Sequence, residues 1–236
     1  MVLCGVSTPS VLQINKPANA YGSCSGGAHE IAVSMAKYIG SCDSKAIKLE
    51  SRVSSIAMNS DSSIDVVVND TEHHQFAHVI TTIPLPVLRT LDLSSAGLSV
   101  MQQTALRELN YGPSVKIGLQ FKTAWWTTGK DRDGNPLNIV GGQTYSDGPL
   151  RTVVYPSFGD VQSGETTTLI ASYCWTEDAT RLGALIDHED NKPLQNLVLR
   201  ELASIHNVEI DFLAGDLIDM KPWSWSHNPY SMGKWF

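Results

Sequence analysis

No G-x-G-x-x-G run occurs anywhere in the 236 residues, so the glycine turn that seats a dinucleotide pyrophosphate on a helix N-terminus is missing. Cysteine is scarce. Cys4, Cys24, Cys42 and Cys174 stand far apart without a C-x-x-C pair, and they read as separate thiols rather than a disulfide frame or a zinc site. Positive charge is short as well: 17 Lys and Arg against 24 Asp and Glu leave a net charge of −7. That balance excludes nucleic acid or an anionic membrane as the main partner. No apolar run approaches the ~20 residues a bilayer span needs. The opening MVLCGVSTPS lacks a basic stretch followed by a long apolar one, so no signal peptide is visible and the compartment stays open. No G-x-S-x-G marks a serine nucleophile.

Metal-ligand spacing is also wanting. His73, His74 and His78 sit with Glu72 in a polar stretch that reads as a solvated turn. Asp131-Arg132-Asp133-Gly134 begins like a calcium loop, yet position 142, where the closing glutamate belongs, is Gly. Glu177 and Asp178 fit the acidic first turn of a helix better than an acid–base pair. No metal site is expected.

What is present is an ordinary globular composition, 42% hydrophobic and 17% charged. Residues 1–25 carry no sustained period. A helix is expected from Ala28 through Ile39, stopped by Gly40, because Ile31, Ala32, Met35 and Ala36 recur at helical spacing. Short strands follow at Ala46–Leu49, Arg52–Asn59, Ile64–Val68 and Phe76–Ile83, the last ended by Pro84 and Pro86. Two helices, through Leu88 and through Leu98–Leu109, come next. Strands at Tyr111–Trp126, Asn138–Tyr145, Leu150–Tyr155 and Thr166–Trp175 suit one antiparallel sheet. Helices at Glu177–Ile186 and Asp190–His206 precede a final strand, Leu213–Lys221, and the aromatic stretch PWSWSHNPYSMGKWF.

The stretch YGPSVKIGLQFKTAWW is unusual. Val115, Ile117, Leu119 and Phe121 share one face by the two-residue period of a strand, whereas Lys116, Gly118 and Gln120 share the other. One cation beside one glycine suits a strand that passes close under a flat ligand, and equally an edge strand with a solvated lysine.

The order of these segments resembles the flavin-dependent amine oxidase family, most closely its L-amino-acid oxidase branch. GGAHEIAVSMA is similar to a glycine-led helix start, Arg52-Val53 to the segment meeting the adenine end of FAD, and HVITTIPLPVLRTLDLS to a strand-then-proline turn. YGPSVKIGLQFKTAWW matches the strand bearing the flavin-facing lysine, which implies that role for Lys116. GGQTYSDGPLRTVVYPS resembles a hairpin lining the substrate cavity, so Tyr145 and Tyr155 are carried over as cavity walls. WSHNPYSMGKW is similar to the segment beside the flavin ring, which implies Trp225, Gly233 and Trp235 there, with Trp235 also facing substrate. Val53 and Pro84 complete the implied cofactor contacts.

The resemblance implies an α+β fold: an antiparallel substrate-domain sheet flanked by helices, plus an incomplete FAD-binding lobe of the FAD/NAD(P)-binding, Rossmann-like type. Residues 1–25 are expected to be irregular, 26–83 and 211–236 to be parts of the FAD lobe, and 84–210 to form the substrate domain. It implies an FAD-dependent oxidase that deaminates L-amino acids, reducing O₂ to hydrogen peroxide. A polyamine or monoamine oxidase is the nearest alternative, and a non-catalytic fragment or subunit that binds no flavin is another. Where some members hold a cysteine joined to the flavin, this sequence has Lys234, so FAD is expected to be non-covalent. The chain is expected to be the C-terminal part of an oxidase, truncated at both ends, inactive alone and dependent on a missing dinucleotide-binding segment. The substrate-carboxylate arginine is expected upstream, and neither Arg89 nor Arg151 takes its place. Homo-oligomerisation is left open.

Overall fold

The computed structural model describes residues 28–157, 166–186 and 191–234, which divide into two units. One holds residues 28–83 and 88–108. The other holds 84–87 and 109 onward.

In the first unit, α1 (His29–Cys42) runs through Gly40 instead of stopping there, and none of its residues is buried. Strands β1 (Val53–Met58), β2 (Ile64–Val68) and β3 (Glu72–Phe76) form an antiparallel meander. The outer edge of β1 is covered by the segment around Asp92. Asp92 O accepts from Ile56 N (3.0 Å), Asp92 N donates to Ser54 O (2.9 Å), and Met58 N donates to Ser95 O (2.8 Å). These bonds satisfy an edge that would otherwise be open. Two strand expectations fail in this unit. Residues 46–49 and 77–84 are irregular, and the polar Glu72–Phe76 segment is the strand instead. Its His73 ring meets Asp65 across the pair at 2.9 Å, an exposed contact of a solvated outer strand. The short helix α2 (Leu85–Leu88) follows, all but Leu88 belonging to the second unit, and α3 (Val100–Glu108) belongs to the first.

The second unit is built on β4 (Ser114–Phe121). Four further strands and four helices join it: α4 (Trp125–Thr128), β5 (Gln143–Tyr145), β6 (Thr152–Val154), β7 (Thr168–Trp175), α5 (Thr176–Gly183), α6 (Lys192–His206), α7 (Ile210–Asp216) and β8 (Leu217–Ser224). The strands form one antiparallel sheet in the order β5-β6-β7-β4-β8. β4 lies inside it, paired with β7 on one side and β8 on the other. Val115, Ile117, Leu119 and Phe121 have no exposed surface, and they pack against Leu194, Val198 and Leu202 of α6 in one core. Burying side chains of this size stabilises by about 1.5–3 kcal/mol each.

Trp125 and Trp126 do not extend β4. They turn into α4, where both rings are 1% exposed and pack edge-on against Phe121, at 5.8 and 6.1 Å. The expected strand from Leu213 begins instead at Leu217, because Leu213 is a buried residue of α7. β8 is hydrogen-bonded to β4, so residues 211–234 lie in the same unit as the sheet. Among the described residues no helix is long and apolar enough to cross a membrane.

Candidate functional site

The face of β4 opposite the core carries Ser114, Lys116, Gly118 and Gln120. Strand register fixes their neighbours. Ser114 faces Trp175 on β7. Lys116 lies between Tyr173 on β7 and Trp223 on β8, and Gly118 between Ile170 and Lys221. The chain continues past β8 to Trp225, whose N–H donates to Ser114 O at 2.9 Å. Two aromatic walls therefore flank a narrow floor. Tyr173 and Trp175 stand 5.0 Å apart on one side, and Trp223 and Trp225 stand 6.0 Å apart on the other. Trp175 and Trp223 are 42% and 41% exposed, an apolar surface of unusual size for aromatic rings.

A register shift sharpens this arrangement. Ile117 pairs with Ser172 and Gly118 with Ile170, which leaves Ala171 as an extra residue on β7. Such a bulge adds local twist and re-aims the side chains on either side of it. It keeps Tyr173 beside Lys116 and Ile170 beside Gly118 while Leu169, Ala171 and Ser172 all stay in the core.

Lys116 is half-buried, and its Nζ lies 4.6 Å from the Tyr173 ring centroid. Lys234 reaches the same ring. Its Nζ is also 4.6 Å from the Tyr173 centroid, 5.6 Å from that of Trp175, and donates to the Tyr173 hydroxyl. Lys234 is held there by a two-bond bridge to Gly112, of 2.9 and 2.8 Å. Gly233 makes the approach to Tyr111 possible. Its φ is +137°, and a Cβ at this position would sit 2.7 Å from Tyr111 Cβ.

The sequence-derived candidates are distributed as follows. Lys116, Trp225 and Gly233 come together around this floor. Tyr145 is 75% exposed on β5, its hydroxyl donating to Gln143 Oε1 at 2.7 Å. Gln143 pairs with Val154 and Val154 with Ile170, so the β5 end of the same sheet face carries Tyr145. Tyr155 is elsewhere. It is 3% exposed in the core, meeting Thr144 Oγ1 at 3.0 Å and the ring of His206. Burial pushes its hydroxyl up from the ordinary phenol range. Pro84 is half-buried ahead of α2, Val53 opens β1 in the other unit, and Trp235 falls outside the described residues.

Ser114, Tyr173, Trp175 and Trp223 were not singled out from sequence. The signal was available for β7, where alternation in TLIASYCW puts Tyr173 and Trp175 on one face. Which face they share with Lys116 depends on the pairing register, which one sequence does not specify.

A flat heteroaromatic ring suits this floor. Aromatic walls bracket it, Gly118 keeps the middle of the strand low, and the fully buried Ser114 Oγ has no hydrogen-bond partner among the described residues. The ring end of FAD fits such a surface. The sequence holds no glycine fingerprint of the kind that cradles the phosphates. Among the described residues no group of three His, Cys, Asp or Glu side chains is placed to hold a metal ion.

The sequence pattern of a family described as "Flavin containing amine oxidoreductase" matches residues 2–236. L-amino-acid oxidase 4 of Hebeloma cylindrosporum is 44% identical over 214 residues, which is 88% of this chain and 34% of that protein. An L-amino-acid oxidase of Siganus canaliculatus is 35% identical over 136 residues, 58% of this chain and 23% of that one. The chain thus spans about a third or less of the length of these relatives. Among solved structures, a putrescine oxidase with redesigned cofactor binding superposes with a TM-score of 0.66 at 16% identity, covering 88% of this chain and 40% of that one. Cyclohexylamine oxidase from Brevibacterium oxydans gives 0.65 at 13% identity, with the same coverage. These two show the fold, an FAD-dependent amine oxidase fold of mixed helix and antiparallel sheet, of which this chain is a part. By its sequence pattern and its fold, the chain belongs to the flavin-containing amine oxidoreductases, a family of FAD enzymes.

Proposed function

We propose that this chain supplies the ring-facing sheet of an oxidase that deaminates L-amino acids. The observation that carries the reading is the aromatic-walled floor with Lys116 rising from its centre between Tyr173 and Trp223. Lys116, Gly118, Trp225 and Gly233 would hold the ring end of a non-covalent FAD, Trp235 would join them on the strength of the family resemblance, and Val53 and Pro84 would serve the rest of the cofactor. FAD, when bound, supplies the electron sink for removing hydride from the carbon that bears the amine. The balanced reaction takes amino acid, O₂ and water to 2-oxo acid, ammonia and hydrogen peroxide.

The residues divide the remaining work. The tryptophan walls exclude water from the reacting face, which strengthens every charge inside it. Lys116 Nζ is a hydrogen-bond donor on that face, able to fix one water or to stabilise developing negative charge. Gly118, without a side chain, leaves the space that a planar ligand needs. Tyr145, at the β5 end, is the chain's wall on the substrate side. Tyr155 supports that wall from the core.

The experiment is a product assay on the FAD-loaded protein that carries this sequence. L-amino acids should yield 2-oxo acid, ammonia and hydrogen peroxide in equal amounts. Turnover of diamines with none of L-amino acids would replace this reading with a polyamine oxidase. A protein that takes up no flavin would replace it with a non-catalytic subunit.

A further inference from the structure

The sheet face given above to the flavin ring carries a second cation beside Lys116. Lys116 and Lys234 both place Nζ 4.6 Å from the centroid of Tyr173, so the two ammonium groups can stand no more than twice that distance apart. Lys234 is fixed at both ends. Its backbone is bridged to Gly112, and its Nζ donates to the Tyr173 hydroxyl. The same Nζ lies 5.6 Å from the ring centroid of Trp175, one of the walls. Among the described residues neither Lys116 nor Lys234 has a carboxylate partner. In the register of β8, Lys221 stands opposite Gly118 and Asp219 opposite Gln120, so the carboxylate this pairing brings to the face lies beyond a third lysine. All this stands on a chain whose net charge is −7. Positive charge against that background is a local feature of this face and not an effect of composition.

We propose that Lys234, held by Tyr173, tunes the flavin: with Lys116 it makes the floor a two-cation surface that favours the reduced ring over the oxidised one and so raises the cofactor's reduction potential. The inference rests on the oxidase reading for the ring's presence on this floor; the charge of the floor does not. Its chemistry is a balance of charge. The hydride removed from the amine-bearing carbon carries two electrons and one proton, so a neutral ring that accepts it becomes an anion unless a second proton follows. Fixed cations beside an apolar wall stabilise that anion and act far less on the neutral ring. A difference in affinity between the two redox forms is, by linkage, a shift in potential. Tyr173 sets both charges in place. Its hydroxyl fixes Lys234, and its ring face takes Lys116. Because the tether is a phenol hydroxyl and not a carboxylate, it orients the ammonium without neutralising it. Lys234→Arg keeps the charge and the donor; Lys234→Met removes both.

The test is the two-electron reduction potential of FAD bound to the protein that carries this sequence, read by absorbance against a reference dye. Lys234→Met should weaken the preference for the reduced ring about tenfold, which is about 30 mV for a two-electron couple. Lys234→Arg should stay within about twofold of the unmutated protein. Tyr173→Phe keeps the ring and frees the lysine, so its potential should fall between the two, and it is the probe where Lys234→Met takes up no flavin. A second readout needs no cofactor. Trp175 and Trp223 are exposed, whereas Trp125 and Trp126 are 1% exposed, so soluble quenchers report on the floor. In the 236-residue chain, iodide should quench tryptophan fluorescence about twofold more effectively than caesium at matched ionic strength, each normalised to free N-acetyltryptophanamide. Lys234→Met should bring that ratio close to one, and Lys234→Arg should keep it. A potential that Lys234→Met leaves unmoved (or Tyr173→Phe, where that variant is the probe) overturns the inference and leaves the oxidase reading standing, as does equal quenching by the two ions. A protein that takes up no flavin overturns both.

Discussion

At the scale of single residues, the buried histidine of α6 makes a stability prediction with a definite sign. His206 is 6% exposed. Its Nδ1–H donates to Leu202 O at 2.8 Å, which leaves Nε2 to accept from the Tyr155 hydroxyl, while Tyr155 Oη meets Thr144 at 3.0 Å. Burial lowers its pKa from the ordinary 6.5, so the fold holds the ring neutral. A depressed histidine contributes stability that is present above its unfolded value, about 6.5, and lost as pH falls through its folded one. The melting temperature should therefore drop more between pH 7 and pH 5 in the unmutated chain than in His206→Gln. Parallel profiles would show that the ring does not titrate with unfolding. Tyr155→Phe leaves Nε2 without a donor in a dry site and should cost about 1–3 kcal/mol in urea denaturation. Gly233→Ala should cost a similar amount, about 1–3 kcal/mol, because the new Cβ adds strain at a positive φ to its clash with Tyr111.

At the scale of elements, β4 organises the larger unit, and its pattern is plain in sequence. Alternation in SVKIGLQF separated a fully buried face from a polar one, and the structure keeps that separation. Ile117→Ala, at a position with no exposed surface, should destabilise by about 2–5 kcal/mol. A loss below 1 kcal/mol would mean that the core beneath β4 is loosely packed. Elements whose apolar pattern was weak or ambiguous were not legible. β3 reads EHHQF, nearly all polar, yet pairs along its whole length with β2, so backbone hydrogen bonding carried a strand that hydrophobicity did not mark. The run before Pro84 is rich in strand formers but has no described strand beside it to bond. α7 escaped notice because its seven residues are too few for a helical period to emerge. Its end is fixed by tertiary contacts. Asp216, 8% exposed, accepts from Thr123 N (3.2 Å) and Thr123 Oγ1 (2.9 Å), tying the start of β8 to the end of β4.

For the molecule as a whole, the resemblance read from motif order reached the family, because motif order survives when single motifs are degenerate. The functional floor was only half visible. Lys116 and Trp225 could be named from sequence, but the walls of Tyr173, Trp175 and Trp223 are a product of register between strands more than 40 residues apart. Since the described residues carry a ring-sized floor and the sequence holds no glycine fingerprint for a pyrophosphate, the ring should carry most of the affinity, and the 236-residue chain should bind riboflavin within roughly tenfold of FAD by flavin fluorescence titration. A hundredfold preference for FAD would reveal a phosphate site that the sequence does not announce.

The most direct measurement concerns the central amine of this floor. In the FAD-loaded protein that carries this sequence, Lys116→Met should slow oxidation of the reduced enzyme by O₂ at least tenfold, a loss of about 1.4 kcal/mol or more of barrier stabilisation. Substrate affinity should change by no more than about twofold. Rapid-mixing traces that superpose on those of the unmutated protein would place Lys116 away from the reacting ring and contradict the function proposed for this sheet.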